Sequence, residues 1–294
     1  YADQTRDYVR LRRYLGDVDE ILEYYHRHIG ADGLVTEIEY WPFIDWHTAW
    51  EETSGVPAAA SRGASTIINL MYAYALEQAA CLNEPIGRTG MACEYRSRKQ
   101  EILEIIQKKC WDPVKGLYLE GPSFYQYSQH AQNWAVLCGM LTGEEAKILL
   151  KKALSPDVLQ CGFASDMEFF RACQKAGCYE LTWDHWKKWI CLLDEHCTTC
   201  PETPEHARSD CHAWSALPMY EMSRTLAGIT FDEEDQILIR PEFAALSALP
   251  DLYGEVAVRE QTVSFHYEKT CRTTEYTVIL PSDKTGRAIL ADGR

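Results

Sequence analysis

Ala64-Ser65-Thr66-Ile67-Ile68-Asn69-Leu70-Met71-Tyr72-Ala73-Tyr74-Ala75-Leu76 opens a run that keeps a helical pattern to Leu82. The same signal recurs on both sides of it. Upstream, Tyr8, Leu11, Tyr14 and Leu15 share one face of a first helix that Gly16 should end. Val18, Ile21, Leu22, Tyr25 and Ile29 mark a second, closed by Gly30. Downstream come Cys93–Trp111, Ser128–Leu141, Gly143–Leu154, Ser165–Ala176, Tyr179–His196 and Asp210–Ala227. That makes about nine helices, joined by short turns alternating with longer loops. Paired helices of this kind pack as hairpins in a ring or solenoid. No repeat of fixed period is present, which argues against TPR or ankyrin arrays.

After Gly228 the period changes to two. Gln236–Arg240, Glu255–Glu260, Thr262–Tyr267 and Glu275–Leu280 read as strands of a small antiparallel unit. The expected organisation is a helical domain over 1–229 and a partial β-domain over 230–294.

The bulk numbers exclude several classes. With 294 residues, 46% of them hydrophobic and 25% charged, the chain can bury a sizeable core. No apolar stretch reaches membrane-spanning length. The opening residues Tyr1–Asp7 are polar and charged, so no secretory signal is visible there. A net charge of -15 with no basic stripe disfavours nucleic acid as a partner. The 12 cysteines sit mostly in apolar helical patterns, as at Cys81, Cys138, Cys173 and Cys191. They read as small apolar side chains in a reduced compartment rather than as a disulfide framework. The residues leave compartment and oligomeric state open.

Three segments concentrate chemistry. The loop Glu37-Ile38-Glu39-Tyr40-Trp41-Pro42-Phe43-Ile44-Asp45-Trp46 crowds aromatics with carboxylates. Aromatic faces stack on sugar C–H faces and carboxylates accept from hydroxyls, so such a loop suits a sugar subsite. It would serve equally as a hydrophobic plug. The second segment runs from His196 to Ser215, with Glu202, Glu205, His206, Arg208, His212 and Trp214. Asp210 reads as the N-cap of the last helix, which places His212 and Trp214 in its first turn. A carboxylate beside a histidine there fits acid/base work, or a capped helix with a solvated acidic loop. Cys197, Cys200, His206 and Cys211 carry zinc-ligand types, but their spacing fits known fingers poorly. The third segment, Tyr125–Gln132, opens a helix with polar groups, among them His130. There is no phosphate loop, nucleophile elbow or H-E-x-x-H helix, and no cofactor or metal is expected.

These blocks, in this order, resemble the family 78 glycoside hydrolases, the α-L-rhamnosidases. Trp41-Pro42-Phe43-Ile44-Asp45-Trp46 resembles their F-x-D-W loop. Ser65–Tyr72, Phe124–Gln132, Thr198-Thr199-Cys200-Pro201-Glu202 and Arg208–Ala216 follow in family order, the last being the most specific. The similarity covers essentially the whole chain. It implies an (α/α)6 barrel, here incomplete, followed by the start of a β-domain. It also implies inverting hydrolysis of terminal α-L-rhamnosides, with Glu202 as general base. Trp46 would line the sugar subsite and His212 contact the sugar, with Asp45, Trp41 and His130 as further contacts. The family's acid-bearing block of clustered Asp and Glu is missing. The expectation is therefore a chain that starts inside the barrel, whose general acid lies in an upstream part of the same polypeptide, and which is inactive alone. A carbohydrate-binding protein without catalysis, a six-hairpin enzyme acting on another glycoside, and a zinc-binding module are the competing readings.

Overall fold

A computed structural model describes residues 1–204, 208–231, 236–258 and 261–289, with the side chains of Asp3 and Gln4 excepted. Glu205 and His206, two residues of the acidic loop, lie outside the described residues, as do residues 259 and 260. The chain divides into two compact units, Tyr1–Cys178 and Tyr179–Arg294. This division precedes the change of periodicity at 228, because the last helical turns pack on the strands that follow them.

In the first unit, Thr66–Asn83 and Thr89–Lys109 form a hairpin turned by the short 3₁₀ segment Glu84–Ile86 and Gly87. Ser65 caps the first of these helices, its hydroxyl accepting from the Ile68 amide at 3.4 Å. Ile67, Leu70, Ala73 and Leu76 on it, with Ile102 and Ile106 on its partner, are buried. The preceding helix, Leu15–Arg27, buries Leu15 and Leu22. Gly16 sits in its first turn rather than ending an earlier helix, and only the short segments Ala2–Thr5 and Tyr8–Leu11 precede it. The chain after it is pinned by Asn69, whose amide accepts from Val35 N at 2.8 Å and donates to Val35 O at 3.0 Å. A two-strand ribbon follows the hairpin, β1 Trp111–Asp112 with β2 Leu117–Tyr118. Gln129–Leu137 is capped by Ser128 and packs against Gly143–Ala153 and Asp166–Ala176. Phe163, Phe169 and Phe170 are buried.

In the second unit the 3₁₀ segment Tyr179–Thr182 leads into the helix Trp183–Asp194. The expected continuous helix from Asp210 is instead three short pieces: a 3₁₀ turn Ala213–Ala216, an α-turn Leu217–Tyr220 and a π-stretch Glu221–Leu226. The N-cap is His212, not Asp210, because the His212 amide is already committed to Cys200 O at 2.6 Å and its backbone is extended. Pro218, near the start of the α-turn, lacks an N–H to continue the ladder.

The described strands of this unit form two sheets. β3 Ile229–Phe231 pairs antiparallel with β4 Ile237–Ile239, and β4 pairs parallel with β8 Gly286–Ala288. β5 Asp251–Val258, β6 Gln261–Lys269 and β7 Thr274–Ile279 form an antiparallel meander. Ile229, Ile237, Val256, Val263 and Phe265 make their shared core. Among the described residues, no helix is long and apolar enough to cross a membrane.

Candidate active site

The aromatic loop of the first unit is built around Asp45. Gly55 turns the loop back with φ +80°, and a Cβ there would lie 2.5 Å from the Phe43 ring and 2.8 Å from Asp45 O. Ile44 N donates to Gly55 O at 3.0 Å, and the Trp41 indole donates to Ser54 O at 3.1 Å. These bonds gather Trp41, Phe43 and Trp46, with ring centroids 5.0 to 6.1 Å apart. Trp41 is 60% exposed, Trp46 half-buried. Trp41 and Phe43 also line a cavity of about 450 Å³ with Tyr24, Tyr25, Tyr40 and Met71.

Asp45 itself is fully buried. Its Oδ2 accepts from the Gly162 amide at 2.7 Å and lies 2.7 Å from His130 Nε2. The Trp50 ring covers the imidazole at 5.0 Å between centroids. Two more carboxyls stand near this pair. Glu120 is buried, and burial pushes its pKa up, with the Ser128 hydroxyl and His130 opposing in part. Neither of its oxygens reaches a well-aligned hydrogen-bond partner. Glu168, in the first turn of Asp166–Ala176, is pushed up to about 7, chiefly by burial.

Among the described residues, Asp45, His130 and Cys161 are the one group of three donors close enough to share a cation. The 2.7 Å between Asp45 Oδ2 and His130 Nε2 is a hydrogen-bond length. Two donors on one tetrahedral zinc stand roughly 3.3 Å apart. These two atoms therefore read as bonded to each other. His206, one of the four zinc-ligand types noted in the acidic loop, is outside the described residues.

The second unit presents Glu202 in a tightly tied loop. Its side chain is 5% exposed and meets Arg208 bidentately, Nη2 to Oε1 at 2.7 Å and Nε to Oε2 at 3.2 Å. The same pairing raises the pKa of the Arg208 guanidinium. Glu202 N donates to Ser209 O at 2.8 Å, and the Trp214 indole donates to Glu202 O at 2.8 Å. Buried Ser215 donates to Pro201 O at 2.5 Å, and the Trp189 indole donates to Ser215 O at 2.7 Å. The His212 ring lies 4.0 Å from the Trp214 ring between centroids, and its Nδ1 is buried with no hydrogen-bond partner.

The first unit thus joins Asp45 to His130 and Trp41 to Trp46, and the second holds Glu202 and His212 in one loop system. Sequence reasoning missed the bond from Trp214 to the Glu202 backbone, the burial of Glu120 and the half-burial of Glu168. Glu168 had no signal beyond its place at a helix start, where acids are ordinary.

The bacterial α-L-rhamnosidase 6 hairpin glycosidase domain matches residues 3–226, three quarters of the chain. The chain belongs to that family. Three solved structures share its fold. The GH78 family rhamnosidase of Bacillus sp. GL1 is 24% identical with a TM-score of 0.84, over 100% of this chain and 32% of that one. The rhamnosidase from Klebsiella oxytoca with rhamnose bound is 21% identical with a TM-score of 0.64, over 76% and 44%. The α-L-rhamnosidase from Dictyoglumus thermophilum is 14% identical with a TM-score of 0.73, over 96% and 32%. The chain therefore spans less than half of the length of these relatives. No curated protein matches it. In this family the paired helices belong to an (α/α)6 architecture.

Proposed function

We propose that this chain carries the general base and part of the sugar subsite of an inverting α-L-rhamnosidase. The observation that carries the proposal is Glu202, a buried carboxylate whose backbone is fixed on both sides while its head group meets the Arg208 guanidinium through both oxygens. An inverting glycosidase needs a carboxylate that takes a proton from water and an acid roughly 6.5–9.5 Å away that protonates the leaving oxygen. A paired guanidinium favours the ionised carboxylate, the form in which a base must start. Arg208 is 69% exposed, so solvent screens the pair and the carboxylate can exchange that partner for water. His212, half-buried and packed against Trp214 in the same loop system, supplies a hydrogen bond to a sugar hydroxyl. Trp46 and Trp41 form the apolar wall.

Asp45 and His130 act here by holding that wall in place, since neither side chain is more than 1% exposed. The catalytic part is residues 1–229. The acid is assigned to none of these residues and is supplied by another part of the polypeptide. Rhamnosides are the substrates. No nucleic acid is involved.

The test is Glu202→Gln in the whole enzyme that contains this chain, assayed on an aryl rhamnoside. Turnover should fall by at least ~100-fold, the usual contribution of a general base, while rhamnose binding persists. Turnover within a few-fold of wild type would remove Glu202 from the mechanism. Rhamnose binding by a wild-type enzyme that never turns over would favour the non-catalytic reading.

A further inference from the structure

We propose that the groove between the helices Leu15–Arg27 and Thr66–Asn83 seats an amphipathic helix from the part of the same polypeptide that precedes Tyr1. The proposal rests on the reading that another part of the polypeptide supplies the acid. Each of the two helices carries an apolar stripe. Val18, Ile21, Leu22 and Tyr25 on the first, and Ile68, Met71, Tyr72 and Ala75 on the second, fall at i, i+3, i+4 and i+7. A stripe of this spacing is a face that packs on another element. Leu22, Ile68 and Tyr72 are buried. Ile21 is 60% exposed and Met71 38%, with Ala75 exposed one turn along from Met71.

These residues line the cavity of about 450 Å³ whose other side is the aromatic loop, where Tyr40 is 72% and Trp41 60% exposed. A quarter of the chain, 25%, is charged. Among the described residues, none of those lining the cavity is charged and none carries a side-chain amide. A sugar-binding cleft offers such groups to hydroxyls. An open surface that is apolar throughout marks a packing partner instead.

Two observations select the occupant. The first is spacing. Tyr14, Val18, Ile21 and Tyr25 on one wall, and Met71, Ala75, Gln78 and Leu82 on the other, are exposed or half-buried and recur in steps of four, three and four. That is the heptad step with which a further helix interdigitates. Each row runs for about 16 Å, three turns of a partner. The second is chain order. Thr66–Asn83 packs with Thr89–Lys109, and Gln129–Leu137 with Gly143–Ala153, each helix with the next. Leu15–Arg27 stands before the first of these pairs, and among the described residues only the short segments Ala2–Thr5 and Tyr8–Leu11 precede it. The family's domain has six hairpins. Leu15–Arg27 is then the second member of a hairpin whose first member comes earlier in the polypeptide. All of this chain aligns with 32% of the Bacillus enzyme, which leaves ample length for it. A helix in this groove runs beside Trp41, whose ring lies 6.1 Å from that of Trp46 between centroids. The seat therefore brings the incoming segment to the proposed sugar wall.

The experiment places the photo-cross-linker benzoylphenylalanine at Met71, and separately at Ile21, in the whole enzyme that contains this chain, and maps the adducts by mass spectrometry. Expected is an adduct on a peptide that precedes Tyr1. Adducts confined to residues 1–294 or to an isotope-labelled second copy overturn the seat. So does a yield no greater than from the same group at Val114, which is 92% exposed and outside the groove. Should neither variant fold, peroxide oxidation of the unsubstituted enzyme decides. Met71 should oxidise at least ~10-fold more slowly than a free methionyl peptide, at every enzyme concentration. A rate within a few-fold of that peptide, or one that rises on dilution as a second copy leaves, overturns the seat. If the cross-link forms while Glu202→Gln leaves hydrolysis intact, the seat stands and the base falls. An inactive Glu202→Gln enzyme without the cross-link gives the opposite result.

Discussion

Arg208 holds Glu202 through both carboxylate oxygens, at 2.7 and 3.2 Å, with the carboxylate 5% exposed and the guanidinium 69% exposed. The asymmetry separates two consequences of breaking the pair. An ion pair open to water on one side contributes little to folding, ~0–1 kcal/mol. The same pair fixes the direction of a buried head group, which on the proposed reading of Glu202 as the base matters far more than the stability.

Arg208→Gln should therefore shift the melting temperature by no more than a few degrees. It should lower kcat/KM of the whole enzyme on an aryl rhamnoside by about ten-fold or more, since misplaced catalytic groups cost that much. Arg208→Lys keeps the charge but not the fork, and should recover only part of the loss. Melting by calorimetry beside steady-state kinetics checks both. A large loss of stability with unchanged kinetics would make the pair a structural tie only.

Trp214 supports the same residue through its backbone carbonyl. Its indole donates to Glu202 O at 2.8 Å, and its ring packs 4.0 Å from His212 between centroids. Trp214→Phe keeps most of the ring and removes the donor. The expected cost is ~1–2 kcal/mol of stability, from a carbonyl left without its partner. Activity should fall as well, because Glu202 and His212 lose one support in a single change. Denaturant melts of the variant, paired with rhamnose titration, read the two effects separately.

Much of the helical fold was legible because its signal is local. The spacing in Ala64–Leu82 and the caps Ser65 and Ser128 specify their helices without outside help. Gly16 misled because a glycine in a first turn and one past a last turn look alike in sequence, and burial of Leu15 settled which it is. The start of the last helical segment was misread for a different reason. Asp210 has the right chemistry for a cap, but the bond from His212 N to Cys200 O is a tertiary contact. Glu202 and Trp46, the residues proposed for the base and the sugar wall, stand in motifs that the sequence shows directly. The Asp45–His130 bond joins positions 85 apart in sequence and leaves no periodic trace.

Gly162 tests the setting of Asp45 without touching a titratable group. A Cβ built there would lie 2.9 Å from Asp45 Oδ1 and 3.1 Å from Trp46 O. Neither can retreat easily, since Asp45 is held by His130 and by the Gly162 amide itself. Gly162→Ala should cost ~1–3 kcal/mol, the range for overpacking a filled space. It should also weaken rhamnose binding more than an alanine at solvent-facing Gly90, where nothing lies within 4 Å of the added carbon. Equal effects at the two positions would show that the loop does not depend on this contact.

Glu120 and Glu168 together fix the sign of the pH dependence of stability above the ordinary carboxylate range. Both have folded pKa values raised by burial, Glu168 to about 7. In the unfolded chain each releases its proton near the ordinary value of about 4.5. Between the two values the folded state binds more protons, so stability falls as pH rises. The contribution of Glu168 is fully present below about 4.5 and is lost by about 7, and that of Glu120 changes with pH in the same direction. The carboxylates whose pKa is lowered, Glu77 and Glu84 through Arg96 and Lys99 among them, act at lower pH with the opposite sign. From pH 5 to 8 the melting temperature should therefore decline. Glu120→Gln, with no proton to lose and an amide that can donate to neighbouring oxygens, should flatten the decline and be the more stable protein at pH 8. The Glu120→Gln/Glu168→Gln double variant should flatten it further. Calorimetric melts of wild type and both variants at pH 5, 6, 7 and 8 measure the slope. A double variant that keeps the wild-type slope would mean that these two carboxyls are not where the folded chain holds its extra protons.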